Sequence, residues 1–520
     1  MADSPRSTRP DAGEPHGPRS PSVAAVLSFL VPGLGQGWAG ARRRGALIAV
    51  PFLALVALVL VVLVSSPDRG YVLGLLLQPT VLLGFFAVNL ALLLYRSWAI
   101  LDADRVARGA VHRARPRSAG AMAVLAGLLA LTIGFHGIVA YLDWNGYDLV
   151  SSVFAGDNGG GGPNWGDGVT SEPPDVSEEP DGPAVTPEVS ATLVGLAASL
   201  DPATASDDPT PSPSPKPTPT PTPTPGTPYW ATDGRLNVLL IGGDAGPGRV
   251  GLRTDSMTLL TVDLKTARAA LFGFPRNLVN VPLPPKYQSL YKCKCFPDLL
   301  NALYRFALSR PDVFPGNGVT RGYRALSDTI GYLANVKIDG VVSVDLNGFV
   351  KIVDALGGLW VKVPYRIYDR AYPKEDGSGT KVLIINPGYQ RLNGSMALAF
   401  ARTRHQDSDY GRMQRQQLTL LAIRKQLNPC SMLPRLSQLV KIAKETLWTN
   451  IPVSQLPGLI ALADRVDTSR ISKRTFVPPT INAYITASDV TKIRKAVRDA
   501  FKGAAPLPDE TAPPNGLFGC

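Results

Sequence analysis

The chain has 520 residues, with 50 glycines, 48 prolines and a formal net charge of +12, a length that implies more than one region. Its arginines gather in short loops beside apolar runs, and no helix-turn-helix, zinc-finger or RNA-binding pattern accompanies them, so the charge does not argue for a nucleic-acid partner. Four cysteines without a C-x-x-C pair and four scattered histidines argue against a zinc site, and P-loop, HExxH and Ser/His/Asp motifs are missing.

In chain order, residues 1–20 are polar and read as a disordered amino terminus. Residues 21–141 read as a membrane region. The runs 46–64, 71–95 and 119–141 are long and apolar enough to span. Residues 21–40, broken by Pro32, Gly33, Gly35 and Gly37, read as re-entrant or interfacial. Arg42, Arg43 and Arg44, and the basic loop 96–117, belong on the cytoplasmic side. Three spans then put everything after about residue 142 outside the membrane, and the plainest role for the region is an anchor.

Residues 142–233 read as a linker. The Thr-Pro text from Pro211 to Pro228 favours polyproline II, a semi-rigid spacer reaching roughly 55 Å. Such a spacer lifts the carboxy-terminal half of the chain off the membrane or into the wall. A short helix is expected at 190–200 within it.

From 234 to 505 the composition turns globular, and 506–520 is a tail. Asn237–Ile241, Ser256–Leu264 and Ala269–Phe274 read as neighbouring strands. Their ends carry Asp244, Arg253, Asp255 and Arg276. On an extended backbone Arg253 and Asp255 face one side. Carboxylate oxygens suit Mg²⁺ and guanidinium groups suit phosphate oxygens; the alternative is that these charges pair with each other in solvent. Further strands are expected at Val341–Asp345 and Leu359–Val363. Helices are expected at Gly322–Ala334, Leu346–Leu356 (stopped by Gly357-Gly358) and Ser395–Ala401. A helix then begins near Gly411, with Arg412, Arg415 and Gln416 on one face; Arg412 and Arg415 either bind an anion or hold the acidic loop of Asp407 and Asp409. Residues 417–466 read as mainly helical, and 474–503 as a strand, a loop and a last helix. Alternating strands and helices give an α/β fold.

Cys293, Cys295, Cys430 and Cys520 allow three disulfide pairings. Pairing Cys293 with Cys295 closes a very small ring, so crosswise pairing with Cys430 and Cys520 is expected, with free thiols as the alternative.

Taken together, the segments LLIGGDAG, RTDSMTLLTVD, FPRN, LNALY and VDLNGFVKIVDALGGLWVKVP resemble the LytR-CpsA-Psr (LCP) family of cell-wall glycopolymer ligases. So do G-x-x-x-L-x-G-x-x-A-L-x-F-A-R-x-R and D-x-G-R-x-x-R-Q, which close the series over roughly 234–425. Two departures are Asn277, where the family usually has Asp after Pro-Arg, and Leu300, where many relatives carry Lys. The resemblance implies an α/β sheet covered by helices, with an apolar pocket for a prenyl chain that Phe349, Ile352, Val353 and Leu356 would line; the same residues would serve an ordinary core.

The resemblance also implies a phosphotransferase that moves a glycopolymer from a polyprenyl-pyrophosphate carrier to peptidoglycan. It implies Asp244 and Asp255 as ligands of Mg²⁺, with Mn²⁺ as the other candidate ion. Arg253, Arg276, Arg402 and Arg404 become the pyrophosphate contacts, with Gln416 as a hydrogen-bonding partner. Asp255 and Arg276 carry the catalytic expectation. A polyprenyl-pyrophosphate hydrolase would use the same residues, and a non-catalytic wall regulator is the other competing class.

Overall fold

A computed structural model describes residues 20–65, 69–109, 118–154, 233–243, 254–316, 318–374, 378–404, 406, 408–427, 435–467 and 470–503. The expected helix at 190–200, both chain termini and most of the linker lie outside these residues.

The amino-terminal region is helical: α1 Pro21–Leu30, α2 Leu34–Trp38, α3 Arg42–Ser65, α4 Arg69–Leu76, α5 Pro79–Gly109 and α6 Ala119–Val153. Three of these, α3, α5 and α6, are long and apolar enough to cross a membrane. The expected span 71–95 is in fact divided. A turn at Leu77 and Gln78 separates α4 from α5, because Pro79 offers no N–H and disfavours helical geometry at the residue before it. Residues 21–40 form α1 and α2, both too short to span. They are locked to α5 by a polar cluster. The fully buried Gln36 donates to the Ala99 carbonyl at 2.9 Å and to Asp102 Oδ2 at 3.2 Å. Arg44 Nε also donates to Asp102 Oδ2, at 3.0 Å. Gly35 has no room for a side chain, since a Cβ there would stand 1.9 Å from the Ala24 carbonyl oxygen.

The carboxy-terminal head is built on a mixed six-stranded sheet. Its strands are β1 Arg235–Gly243, β2 Thr254–Asp263, β3 Ala269–Phe274, β6 Gly340–Asp345, β11 Leu447–Thr449 and β12 Ser472–Thr475. Their order is β11-β6-β1-β2-β3-β12. The first three form an antiparallel meander, whereas β6 runs parallel to β1 and β12 parallel to β3. One face carries Leu239, Ile241, Leu259, Phe272 and Phe274, covered by α7 Ala302–Leu308, α8 Gly318–Ala334 and the last helix Ala487–Arg498. Trp448 on β11 is fully buried here and stacks on Tyr323 at 4.2 Å. The other face carries Leu236, Val238 and Val262 under Leu462 of the helix Leu456–Arg465; Leu240, Leu260 and Val342 on this face are only half-buried.

A second core joins α9 Leu346–Ala355, α10 Gly394–Arg402 and α11 Ser408–Gln426 to two small sheets. These are β7 Leu359–Val363 with β10 Gly388–Leu392, and the hairpin β8 Ile367–Pro373 with β9 Thr380–Ile385. Of the four side chains expected at a prenyl pocket, Val353 is fully buried in this core and Phe349 packs on it, while Ile352 and Leu356 are half-buried.

The remaining two-stranded pair is β4 Val281–Pro282 with β5 Cys295–Phe296. Here the expectation of crosswise disulfides is corrected. Cys293 and Cys295 are bonded to each other, at an S–S distance of 2.11 Å. Lys294 takes φ 55°, and its N–H donates to the Tyr291 carbonyl at 2.9 Å. This left-handed turn brings the two flanking side chains to one side, so the small ring closes. Cys430 and Cys520 lie outside the described residues.

Trp448→Ala is expected to destabilise the head by about 3–5 kcal/mol, because it empties the space between β11 and α8. Thermal unfolding followed by circular dichroism should show a clearly lower midpoint.

Candidate functional site

The meander ends beside a cleft. In the β1–β2 ladder Gly242 pairs with Ser256 and Gly243 with Thr254, so Asp255 is the extra residue of a β-bulge. A bulge interrupts the alternation of side chains and re-aims the one it carries. Asp255 and Ser256 are accordingly both half-buried in succession. On the neighbouring strand, β3 stops at Phe274 because Pro275 cannot continue the ladder. Arg276 comes next, and its Nη1 donates to Asp255 Oδ1 at 3.0 Å. The pair is about four-fifths buried on both sides. The LNALY segment fixes Arg276 from behind: Asn301 N donates to the Arg276 carbonyl at 3.1 Å, and Leu300 N to the Leu278 carbonyl at 2.8 Å. Leu300 itself is fully buried in the core, which suits an apolar residue at that position.

The opposite wall comes from the second core. Asn393 caps α10 by accepting from Met396 N at 2.9 Å, and the helix ends at Arg402. Arg402, buried Thr403 and Arg404 then alternate along the exit chain. Thr403 is pinned to β8, its hydroxyl donating to Asp369 Oδ2 at 2.5 Å. Gln406 fastens the same exit to the edge of β8, accepting from Tyr368 N at 2.6 Å and donating to the Arg366 carbonyl at 2.9 Å.

Helix α11 closes the cleft between the two walls. It packs against β3 at Gly273, where Met413 Cε fills the space a side chain would take, 2.7 Å from the position of a Cβ. Arg412, one residue earlier, is buried and reaches the Asp255 carbonyl at 3.5 Å. The resulting cavity of about 110 Å³ is lined by Asp255, Arg276, Asp369, Tyr372, Pro373, Arg402, Thr403, Arg404 and Arg412. Four guanidinium groups against two carboxylates make its wall cationic, a match for an oxyanion with several negative oxygens.

Not all of the expected residues meet there. Asp255, Arg276, Arg402 and Arg404 share the cleft. Asp244, Arg253 and Asp407 fall outside the described residues. Gln416 is half-buried on α11 and is not among the lining side chains. Arg412 and Arg415, left open between anion binding and the acidic loop, part company. Arg412 is in the cleft, whereas Arg415 is a buried clamp: its Nε donates to the Phe400 carbonyl at 2.7 Å, its Nη1 to Tyr365 Oη at 3.0 Å, and its Nη2 to the Thr403 carbonyl. Sequence reading missed Asp369, Tyr372 and Thr403. Only the spacing of Thr403 between two arginines could have pointed to them, since β8 carries no distinctive motif. A metal needs hard oxygen donors. Asp255 supplies a carboxylate on the cleft wall that Arg276 engages through one oxygen, which fits one half of a Mg²⁺ ligand set; among the described residues there is no group of three or more His, Cys, Asp or Glu that could complete one.

The teichoic acid transferase TagV of Bacillus subtilis, named as a polyisoprenyl-teichoic acid–peptidoglycan enzyme, is 27% identical over 48% of this chain and 59% of its own length. Biofilm regulatory protein A of Streptococcus mutans is 25% identical over 45% of this chain and 55% of its own. The chain thus spans little more than half the length of these curated relatives. A crystal structure of B. subtilis TagV aligns with 51% of this chain and 96% of that one, at 22% identity and a TM-score of 0.37. The LytR_cpsA_psr family model matches residues 197–503, more than half of the sequence, and the chain belongs to that family.

Proposed function

We propose that the head is a phosphotransferase that attaches a glycopolymer, carried on a polyprenyl pyrophosphate, to peptidoglycan, and that it works on the outer side of the cell membrane. The observation that carries this reading is the cleft itself, where Arg276, held by Asp255, faces a second wall bearing Arg402 and Arg404. The names of the relatives support it. So does the spacing of the arginine clusters around the three long apolar helices, which favours Arg42–Arg44 inside and the end of α6 outside.

The chemistry is set by the charges. A hydroxyl oxygen of the acceptor attacks the phosphorus nearer the sugar, the bond from that phosphorus to the bridging oxygen breaks, and polyprenyl phosphate leaves. Negative charge builds on the phosphoryl and bridging oxygens. Arg276, Arg402, Arg404 and Arg412 stand where they can hold these oxygens before and during the change, at little reorganisation cost. We assign the departing hydroxyl proton to Asp255. Asp255, together with Asp244, would hold a Mg²⁺ ion, which when bound neutralises part of the pyrophosphate charge. Arg253 and Gln416 are kept in the same proposal as further pyrophosphate contacts. The prenyl chain is assigned to the half-open apolar sheet face of Leu240, Leu260 and Val342, with Ile352 and Leu356 on α9, half-buried as well, as further candidates.

Two outcomes test the assignment. With a polyprenyl-pyrophosphate oligosaccharide, a short peptidoglycan strand and Mg²⁺, the protein should yield a phosphodiester-linked adduct by mass spectrometry, and EDTA should abolish it. Arg276→Ala and Asp255→Ala should each lower the rate by at least about 10²-fold in a head that still folds, with a lowered unfolding midpoint because each leaves its partner's largely buried charge unpaired; near-normal activity in either would refute the site. Free sugar phosphate without an adduct would show water taking the acceptor's place. Arg415→Met should behave oppositely to Arg404→Ala. It is expected to cost about 3 kcal/mol of stability by stranding buried carbonyls, whereas Arg404→Ala should cost activity and leave the unfolding midpoint in place.

A further inference from the structure

The head rests on its own membrane helices. Lys444, on the helix Leu436–Thr446, donates to both carboxylate oxygens of Asp148 near the end of α6, at 2.8 and 3.0 Å. Gln78, in the turn between α4 and α5, donates to the Val453 carbonyl at 3.1 Å. Gly74 on α4 is buried against Pro457, at the start of the helix Leu456–Arg465; a Cβ at residue 74 would stand 2.2 Å from Pro457 Cα. Val150 and Val153, in the last turn of α6, are buried as well.

These contacts share one end of the membrane region. Gly74, Gln78 and Asp148 lie at the ends of α4, α5 and α6 away from Arg42–Arg44 and from Arg105 and Arg108. Helix α6, at 35 residues, is about 52 Å long, longer than the roughly 30 Å apolar core of a bilayer. The exposed Tyr141 and Trp144, with Tyr147 at 5.6 Å from Trp144, mark a water–lipid boundary. Asp148 therefore stands just beyond that boundary, where a lysine of the head can meet it. The ion pair is part-exposed and contributes little by itself. The close seat of Gly74 on Pro457 supplies the shape.

We propose that α4 and the outer ends of α5 and α6 form a docking platform for the head of the same chain. Docking seats the helix Leu456–Arg465, which covers the half-open apolar sheet face, directly on α4 at the membrane surface. Resting on the transferase reading, this is the state in which the head takes its lipid-linked donor from the bilayer.

The full chain in membrane vesicles, with Cys430→Ser and Cys520→Ser as background, Asp148→Cys and Lys444→Cys combined and a protease site placed between residues 155 and 232, tests the docking by a readout other than activity. After treatment with a short bis-maleimide, which bridges the reach that the Lys444 side chain spans, and cleavage of the linker, most of the chain should run as two covalently joined halves, while a chain carrying only one of the two introduced cysteines separates. Adding Gly74→Leu should cut the joined fraction several-fold, because the larger side chain cannot sit against Pro457. Complete separation of the doubly substituted chain, or an unchanged joined fraction with Gly74→Leu, would overturn the platform. In the transfer assay the joined chain should keep its activity until the linker is cut and afterwards; its loss on joining alone would overturn the claim that the docked state is the working one.

Discussion

The cleft depends on one buried guanidinium. Arg415 directs its donors to the carbonyls of Phe400 and Thr403 and to the hydroxyl of Tyr365. A helix leaves its last carbonyls without partners, and α10 ends where the chain must turn outward to present Arg402 and Arg404. Arg415 satisfies those carbonyls from the neighbouring helix, so the exit of α10, the start of α11 and the edge near β8 become one rigid corner. A charge that is 1% exposed is tolerable only because its hydrogen bonds are made. Were the corner loose, the two arginines would spread apart to relieve their mutual repulsion. Their shared position is imposed by Arg415, Thr403–Asp369 and Gln406, none of which needs to touch a substrate.

The other wall uses a different device. Asp255 is displaced from the strand pattern by the bulge opposite Gly243, and Arg276 from its strand by Pro275. Each is thereby free to meet the other across the strand ends at 3.0 Å. The pair pre-orients a guanidinium that would otherwise lose rotamer entropy on binding an anion. Because Arg276 is also held by its backbone carbonyl from Asn301, the wall is fixed independently of the corner around Arg415. An anion between the two walls would be gripped by groups that the fold has already positioned.

Much of this architecture is legible from sequence, and the limits have physical causes. The meander β1–β3, α8 and α9 announce themselves by apolar period and by glycine stops, and Arg276, Arg402 and Arg404 by their motifs. The hairpin β8–β9 does not. Its tyrosines, arginines and isoleucines alternate between a buried face (Ile367, Asp369) and an exposed one (Tyr368, Arg370), a pattern cut by an irregularity between Asp369 and Tyr372. Strand β11 is three residues long and continues directly from a helix, too short for any period to show. The roles of Arg412 and Arg415 are inseparable in one dimension. Three residues apart on a helix, they share a broad face, and only the tertiary partners separate them: the Asp255 carbonyl for Arg412, and the Phe400 and Thr403 carbonyls for Arg415. For Cys293 and Cys295, ring size alone misleads, because the left-handed turn at Lys294 that lets the ring close leaves no mark in the sequence.

The amino-terminal helical region is tied down in a similar way at both ends. Toward the arginine clusters, Gln36, Asp102 and Arg44 tie α1 and α2 to α5. An acid near an apolar span is tolerable when paired in this way, and the pairing turns the glycine-rich segment into a folded part of the bundle. Toward the head, Asp148, Gln78 and Gly74 do the tying. These contacts are modest: a part-exposed ion pair, one hydrogen bond to a carbonyl, and one close helix approach. Between separate molecules they would not hold. Within one chain the platform and the head cannot diffuse apart, and the tether raises their effective concentration so that a shallow interface is still occupied.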